Sequence, residues 1–148
     1  MISIIQRVTQ AKVTVNDSDI GVIGTGIMAL VAVEKADTAK QADRLLERIL
    51  NYRIFADADD KMNLSLRDIQ GGLLLVPQFT LAANTDTGNR PSFASAAPPE
   101  MGRELFAYMQ KRALAIYPSS QFGEFGADMK VALINDGPVT FTLRCLEK

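Results

Sequence analysis

Apolar and polar positions set out most of the elements before any motif is considered. Residues 12–16, Lys-Val-Thr-Val-Asn, alternate side by side. Asn16-Asp17-Ser18-Asp19 has turn chemistry and Ile20-Gly21-Val22-Ile23 returns, so a hairpin is predicted. The opening residues 1–7 read as a further strand. Residues 27–33 are apolar without a break, as expected of a central strand covered on both faces. The period then changes. Leu45, Leu46, Ile49 and Leu50 share one helical face, whereas Lys40, Arg44, Glu47 and Arg48 do not, which predicts an amphipathic helix packed on a sheet. Asp37 or Thr38 can cap it, and Gln41 completes a capping box with Thr38.

Residues 51–55 read as another strand and residues 57–63 as a polar loop. After Gly71-Gly72 a short apolar strand, residues 73–76, runs into Pro77-Gln78-Phe79-Thr80-Leu81. Residues 82–99 are small, polar and longer than a structural connection needs. A second helix opens at Pro98-Pro99-Glu100, carries Leu105, Tyr108, Met109, Ala113 and Ile116 on its apolar stripe, and ends at Pro118. Residues 129–134 and 139–145 are two strands joined by Asn135-Asp136-Gly137-Pro138. The sum is an α/β chain: a mixed sheet or barrel-like core with two packed helices, in one domain spanning residues 1–148.

Composition narrows the chemistry. The chain has 148 residues, of which 47% are hydrophobic and 22% charged, enough for a core without staples. No apolar run is long enough to cross a bilayer, and no leader pattern precedes the first strand. One cysteine, Cys145, excludes an internal disulfide, and these features together favour the cytoplasm. There is no histidine, which removes Ser-His-Asp and Cys-His schemes and the usual zinc sites. No metal and no cofactor is expected. A net charge of −1 argues against broad duplex binding but permits a pocket for one nucleic-acid end.

Several residues are better explained by structure than by chemistry. Asp57, Asp59 and Asp60 lack the glycine and glutamate of a calcium loop and read as a solvated turn. Gly21, Gly24 and Gly26 lie between strands, so they are turn glycines rather than a phosphate loop. Tyr108 and Met109 are core residues, and Cys145 has no basic neighbour to activate it. Thr80 reads on its own first as a β-branched residue closing a strand and Gly137-Pro138 as an ordinary hairpin turn, yet both also admit a functional reading. Each sits at a strand end, where a rigid scaffold can hold a hydroxyl, backbone N–H groups or carbonyls in place. Proline after glycine also withdraws an N–H from what is otherwise a hairpin turn.

At these residues the chain resembles the bacterial-type D-aminoacyl-tRNA deacylases. That family is marked by Ser-Gln-Phe-Thr-Leu and Asn-x-Gly-Pro-Val-Thr segments, here residues 77–81 and 135–140. The likeness continues through Ile5-Gln6-Arg7-Val8, Tyr52-Arg53-Ile54-Phe55, Lys61-Met62-Asn63-Leu64, Arg90-Pro91-Ser92-Phe93 and Ala127-Asp128-Met129. The resemblance implies hydrolysis of the ester between a D-amino acid, or glycine, and the 3′ end of tRNA. It implies a homodimer in which a cis Gly137-Pro138 bond presents two carbonyls to the pocket of the other subunit and excludes L side chains. Arg7 resembles the residue that holds those carbonyls. Thr80, Phe79 and Gln78 would form the catalytic segment, with backbone N–H groups near Phe79 and Thr80 stabilising an oxyanion. No base is visible to activate a threonine, so Thr80 is expected to orient water rather than attack.

One position departs from the pattern. Pro77 stands where the family usually has serine, which leaves no serine nucleophile there. A sister group that removes L-alanine from tRNA shares that proline but lacks the phenylalanine and the Gly-Pro-Val-Thr ending. That activity, and a non-catalytic dimeric β module binding RNA ends, are the other readings open to the sequence. Arg90, Arg53 and Lys61 are candidate phosphate contacts and equally candidate solvated charges.

Overall fold

The structure, a computed structural model, describes residues 1–146. Its centre is β1 (Ile2–Val15), a 14-residue strand long enough to serve three partners. The first half pairs antiparallel with β3 (Gly26–Ala32) and the second half with β2 (Ser18–Ile23). Its other edge pairs along almost its whole length with β8 (Lys130–Arg144). From β3 the sheet continues in parallel to β6 (Gly72–Pro77) and on to β7 (Gln121–Phe122). The β1–β2 turn places Asn16 and Asp17 at φ 48° and 64°, which asparagine and aspartate tolerate. The hairpin thus forms where the turn chemistry put it.

The sheet curls until β2 lies over β6 and β7, giving a nearly closed barrel. Close approach makes this possible. A Cβ on Gly21 would stand 2.9 Å from the Phe122 carbonyl oxygen, and one on Gly26 would overlap the Gly72 carbonyl. Inside the barrel Val8, Val13, Met28, Leu74 and Val76 form one apolar cluster. The opposite faces of β3 and β6 (Ile27, Ala29, Val31, Leu73 and Leu75) meet the helices. Coverage on both sides is why these strands are apolar throughout.

Two long helices cover that outer face. In α1 (Ala39–Asn51), Thr38 and Gln41 make the reciprocal capping box. Leu45, Leu46, Ile49 and Leu50 have no exposed surface, each burial stabilising by about 1.5–3 kcal/mol. In α3 (Pro99–Ile116), Pro99 begins the first turn and Phe106, Met109 and Ala113 are buried. The Tyr108 hydroxyl donates to Asp43 on α1 at 2.8 Å, fastening one helix to the other.

Some elements differ from expectation. The two terminal strands are one strand, β8, because β1 is long enough to pair with both halves. Residues 52–54 have no ladder, and only β4 (Phe55–Ala56) pairs, with β5 (Met62–Leu64). A short third helix, α2 (Leu66–Ile69), is capped reciprocally by Ser65 and Asp68. In the Asp57 turn, one carboxylate accepts from Asn63, Lys61 and Asp59. The Asn63 bond first, then the Lys61 N–H, holds the Asp57 carboxyl below the usual range. Its oxygens are thus engaged in shaping the turn.

Candidate functional site

The first motif lies where β6 stops. Pro77 is opposite Val31 in the parallel ladder, and Gln78 donates its N–H to the Val31 carbonyl at 2.8 Å, the last bond of that edge. The chain then tightens into a single 3-10 turn, Phe79–Ala82. The opening N–H groups of such a turn have no acceptor within it. Leu81 donates to Gln78 and Ala83 to Thr80, whereas the N–H groups of Phe79 and Thr80 meet no acceptor among the described residues. Both residues are exposed, Phe79 by 58%. Two adjacent backbone donors are therefore left without an acceptor, among the described residues, at a fixed strand end.

The side chains around them leave few options for catalysis. Gln78 Nε2 donates to Thr80 Oγ1 at 2.5 Å, occupying one acceptor position of the hydroxyl and leaving its proton free to donate. No carboxylate takes part in that pair. Phe79 packs against Phe93, ring centroids 5.3 Å apart at 47°, so the 82–99 segment folds back over the turn. Asn84 and Ser92 exchange backbone bonds at 2.7 and 2.9 Å to hold that segment. Pro77 itself packs near Gly123, where an added Cβ would stand 3.2 Å from its Cδ.

Beside the turn opens a cavity of about 270 Å³. Gln78 and Phe79 form one side, and Phe106, Phe125 and Arg103 another. Arg103 is the one charged residue among those lining it. Its guanidinium lies over the Phe125 ring, 5.0 Å from the centroid. Phe93, Arg103 and Phe125 were not singled out as site residues by the sequence. Arg103 lies in the second turn of a helix whose visible signal was its apolar stripe, and Phe125 arrives from a loop.

The second motif lies elsewhere. Gln6 pairs with Thr140 and Val8 with Asn135, so residues 136–139 bulge out opposite the single residue Arg7. Proline has no N–H for the ladder. The Gly137-Pro138 bond is cis, and Gly137 has φ 140°. Asn135 closes the bulge: Val139 N–H donates to its Oδ1 at 2.7 Å, and its Nδ2 donates to Thr140 Oγ1 at 2.9 Å. Arg7 Nε donates to the Asp136 carbonyl at 2.9 Å, and Nη1 to the Ile54 carbonyl at 2.8 Å. Arg7 thus braces the peptide just ahead of Gly137. Residues 136–138 project into solvent.

The structure brings Gln78, Phe79 and Thr80 together, and separately Arg7, Gly137 and Pro138, but not the two groups to each other. The register Pro77–Val31–Ser3–Leu143 sets the level of the first motif, and Arg7 that of the second. They lie four residues apart along the strands, and although Pro77 is three strands from β8, the turn that follows it reaches across β3 to β1. Of the candidate phosphate contacts, Arg53, Lys61 and Arg90 line none of this cavity.

Comparison with known proteins gives the family and the fold. The family model for D-Tyr-tRNA(Tyr) deacylase matches residues 4–144. A D-aminoacyl-tRNA deacylase of Cupriavidus pinatubonensis is 57% identical, covering 97% of this chain and 96% of its own. One from Nitrosococcus oceani is 56% identical, covering 97% and 93%. Among solved structures, a c-Myc DNA Unwinding Element Binding Protein superposes with TM-score 0.94 at 37% identity, over 99% of this chain and 100% of that one. A probable eukaryotic D-amino acid tRNA deacylase shares the fold at TM-score 0.84 and 17% identity, over 96% and 97%.

Proposed function

The chain belongs to the D-Tyr-tRNA(Tyr) deacylase family and is a D-aminoacyl-tRNA deacylase, and from that premise we propose how its residues perform the reaction. The observation that carries the mechanism is the pair of unengaged N–H groups at Phe79 and Thr80 beside an uncharged stretch of cavity wall. Water attacks the ester carbonyl, and the developing oxyanion is held by those two donors. Thr80 orients the water through its free hydroxyl proton, with Gln78 fixing the rotamer. The leaving ribose oxygen takes its proton from water or from the neighbouring 2′-hydroxyl of the substrate. An aminoacyl ester is activated, so this suffices without imidazole.

Handedness is read by a second copy of the chain. Within one chain the two motifs sit at different levels of the sheet, four residues apart along β1, which favours a pocket shared across an interface. Two features support a homodimer. Among the described residues β8 pairs only with β1, leaving its outer edge open, and it exposes Val131, Ile134 and Phe141, the second by 51%. A long open edge with apolar side chains favours pairing with another chain. In the dimer, Gly137 and Pro138 of the partner subunit face the reacting ester. Their carbonyls leave room for the hydrogen of glycine and for D side chains, whereas an L side chain meets unpaired oxygens. Residues 1–148 act as one domain, in the cytoplasm, on the 3′ end of aminoacyl-tRNA.

D-tyrosyl-tRNA and L-tyrosyl-tRNA, each incubated with the protein and a chelator, test the assignment. Release of D-tyrosine alone is expected; equal cleavage of both, or of neither, contradicts it. Thr80→Ala separates the roles of the hydroxyl. If it orients water, kcat falls by about 10²-fold or less while D-specific turnover remains measurable. Complete loss with substrate binding intact makes Thr80 the nucleophile.

A further inference from the structure

We infer that Arg103 binds the phosphate that links the terminal adenosine to the rest of the tRNA. This rests on the deacylase assignment and adds an anion subsite to it. Three observations converge on Arg103. It is the one charged residue lining the cavity beside Phe79. It is exposed, and among the described residues it has no ion-pair partner, whereas Arg67 is held by Glu47 and Arg112 by Asp43. It is nevertheless held in place, with its guanidinium over Phe125 and Nη2 3.3 Å from where a Gly126 Cβ would stand. The neighbouring Gly102 lets the helix approach: a Cβ there would stand 3.2 Å from the Phe125 ring.

Stacking occupies the face of a guanidinium and leaves its in-plane N–H groups free. Those edge donors match the geometry of a phosphate, which takes two parallel bonds from arginine. With the ester at the Phe79–Thr80 donors, the nearest anion in the substrate is the 5′-phosphate of the same nucleoside, one ribose away. The tyrosyl side chain is neutral near pH 7, so with tyrosyl substrates that phosphate is the only anion near the cavity.

The test compares 3′-O-(D-tyrosyl)adenosine with the same ester carrying a 5′-phosphate. The expected result is that wild type prefers the phosphorylated ester in kcat/KM and that Arg103→Gln lowers this preference about tenfold, as for loss of a charged hydrogen bond. Arg103→Lys keeps part of it. On full D-tyrosyl-tRNA, Arg103→Gln flattens the salt dependence of kcat/KM by about 0.7 in the logarithmic slope. A purely structural role lowers both esters together and leaves the preference unchanged, which overturns the inference. Binding gives a readout independent of turnover: AMP should bind wild type more tightly than adenosine, and Arg103→Gln should erase that difference. Equal binding of AMP and adenosine by wild type also overturns it. If wild type cleaves neither ester nor D-tyrosyl-tRNA, the deacylase assignment fails instead, and the AMP comparison still decides the subsite.

Discussion

Gly137→Ala is expected to leave a folded protein whose deacylation of D-aminoacyl-tRNA falls about a hundredfold, the cost of misplacing a site group by an ångström. The reason is local. Gly137 has φ 140°, a region that side-chain-bearing residues rarely occupy. A Cβ there would stand 2.6 Å from Val139 Cγ2 and 3.1 Å from Arg7 Nη2, so the bulge must shift against its own brace. The fold should survive because residues 136–138 project into solvent and only Val139, at the edge of the core, must give way. Circular dichroism should therefore stay close to wild type, with thermal unfolding lowered by a few degrees, while kcat/KM collapses. Wild-type turnover in this variant would remove the bulge from the site.

Replacing Phe79 by phenyllactate, which keeps the ring and exchanges the N–H for an oxygen, should lower kcat about 10²- to 10³-fold. The Phe79 N–H has no acceptor among the described residues, so its removal breaks no bond of the fold. The ring and its packing on Phe93 are untouched. Substrate binding should then change far less than kcat, because an oxyanion donor acts on the transition state. A rise in KM with kcat preserved would instead assign Phe79 to ground-state binding. Comparing this variant with Thr80→Ala separates the backbone contribution from that of the hydroxyl.

Much of the scaffold was legible because local signals agreed with the final fold. The Thr38–Gln41 capping box and the Leu45–Leu50 face described α1, and uninterrupted apolar residues described β3. Signals misled where tertiary pairing overrode them. Asn-Asp-Gly between two alternating runs has hairpin chemistry, yet both runs pair with β1, whose 14 residues offer a template long enough for both. Residues 52–54 carry strand-like side chains but find no neighbour to pair with. At the site, Thr80 and Gly137–Pro138 drew notice as strand ends, and family resemblance, not spacing, gave them and Gln78 and Phe79 their roles. Phe93, Arg103 and Phe125 come from three separate segments, and only the folded chain packs Phe93 on Phe79 and sets Arg103 and Phe125 in the cavity wall beside it. The separation of the two motifs is likewise a property of strand register, invisible to composition or periodicity.

That separation makes the two-chain site the claim most open to direct attack. The decisive measurement co-expresses the Gly137→Ala chain with the phenyllactate-79 chain under different affinity tags and isolates the mixed dimers. A site shared between subunits leaves each mixed dimer one intact pocket of two, because one subunit supplies a sound Phe79 turn and its partner a sound Gly-Pro bulge. Activity on D-tyrosyl-tRNA should therefore recover to about half that of wild type, as twofold symmetry requires. Mixed dimers no more active than the two parents would contradict a pocket completed across the interface.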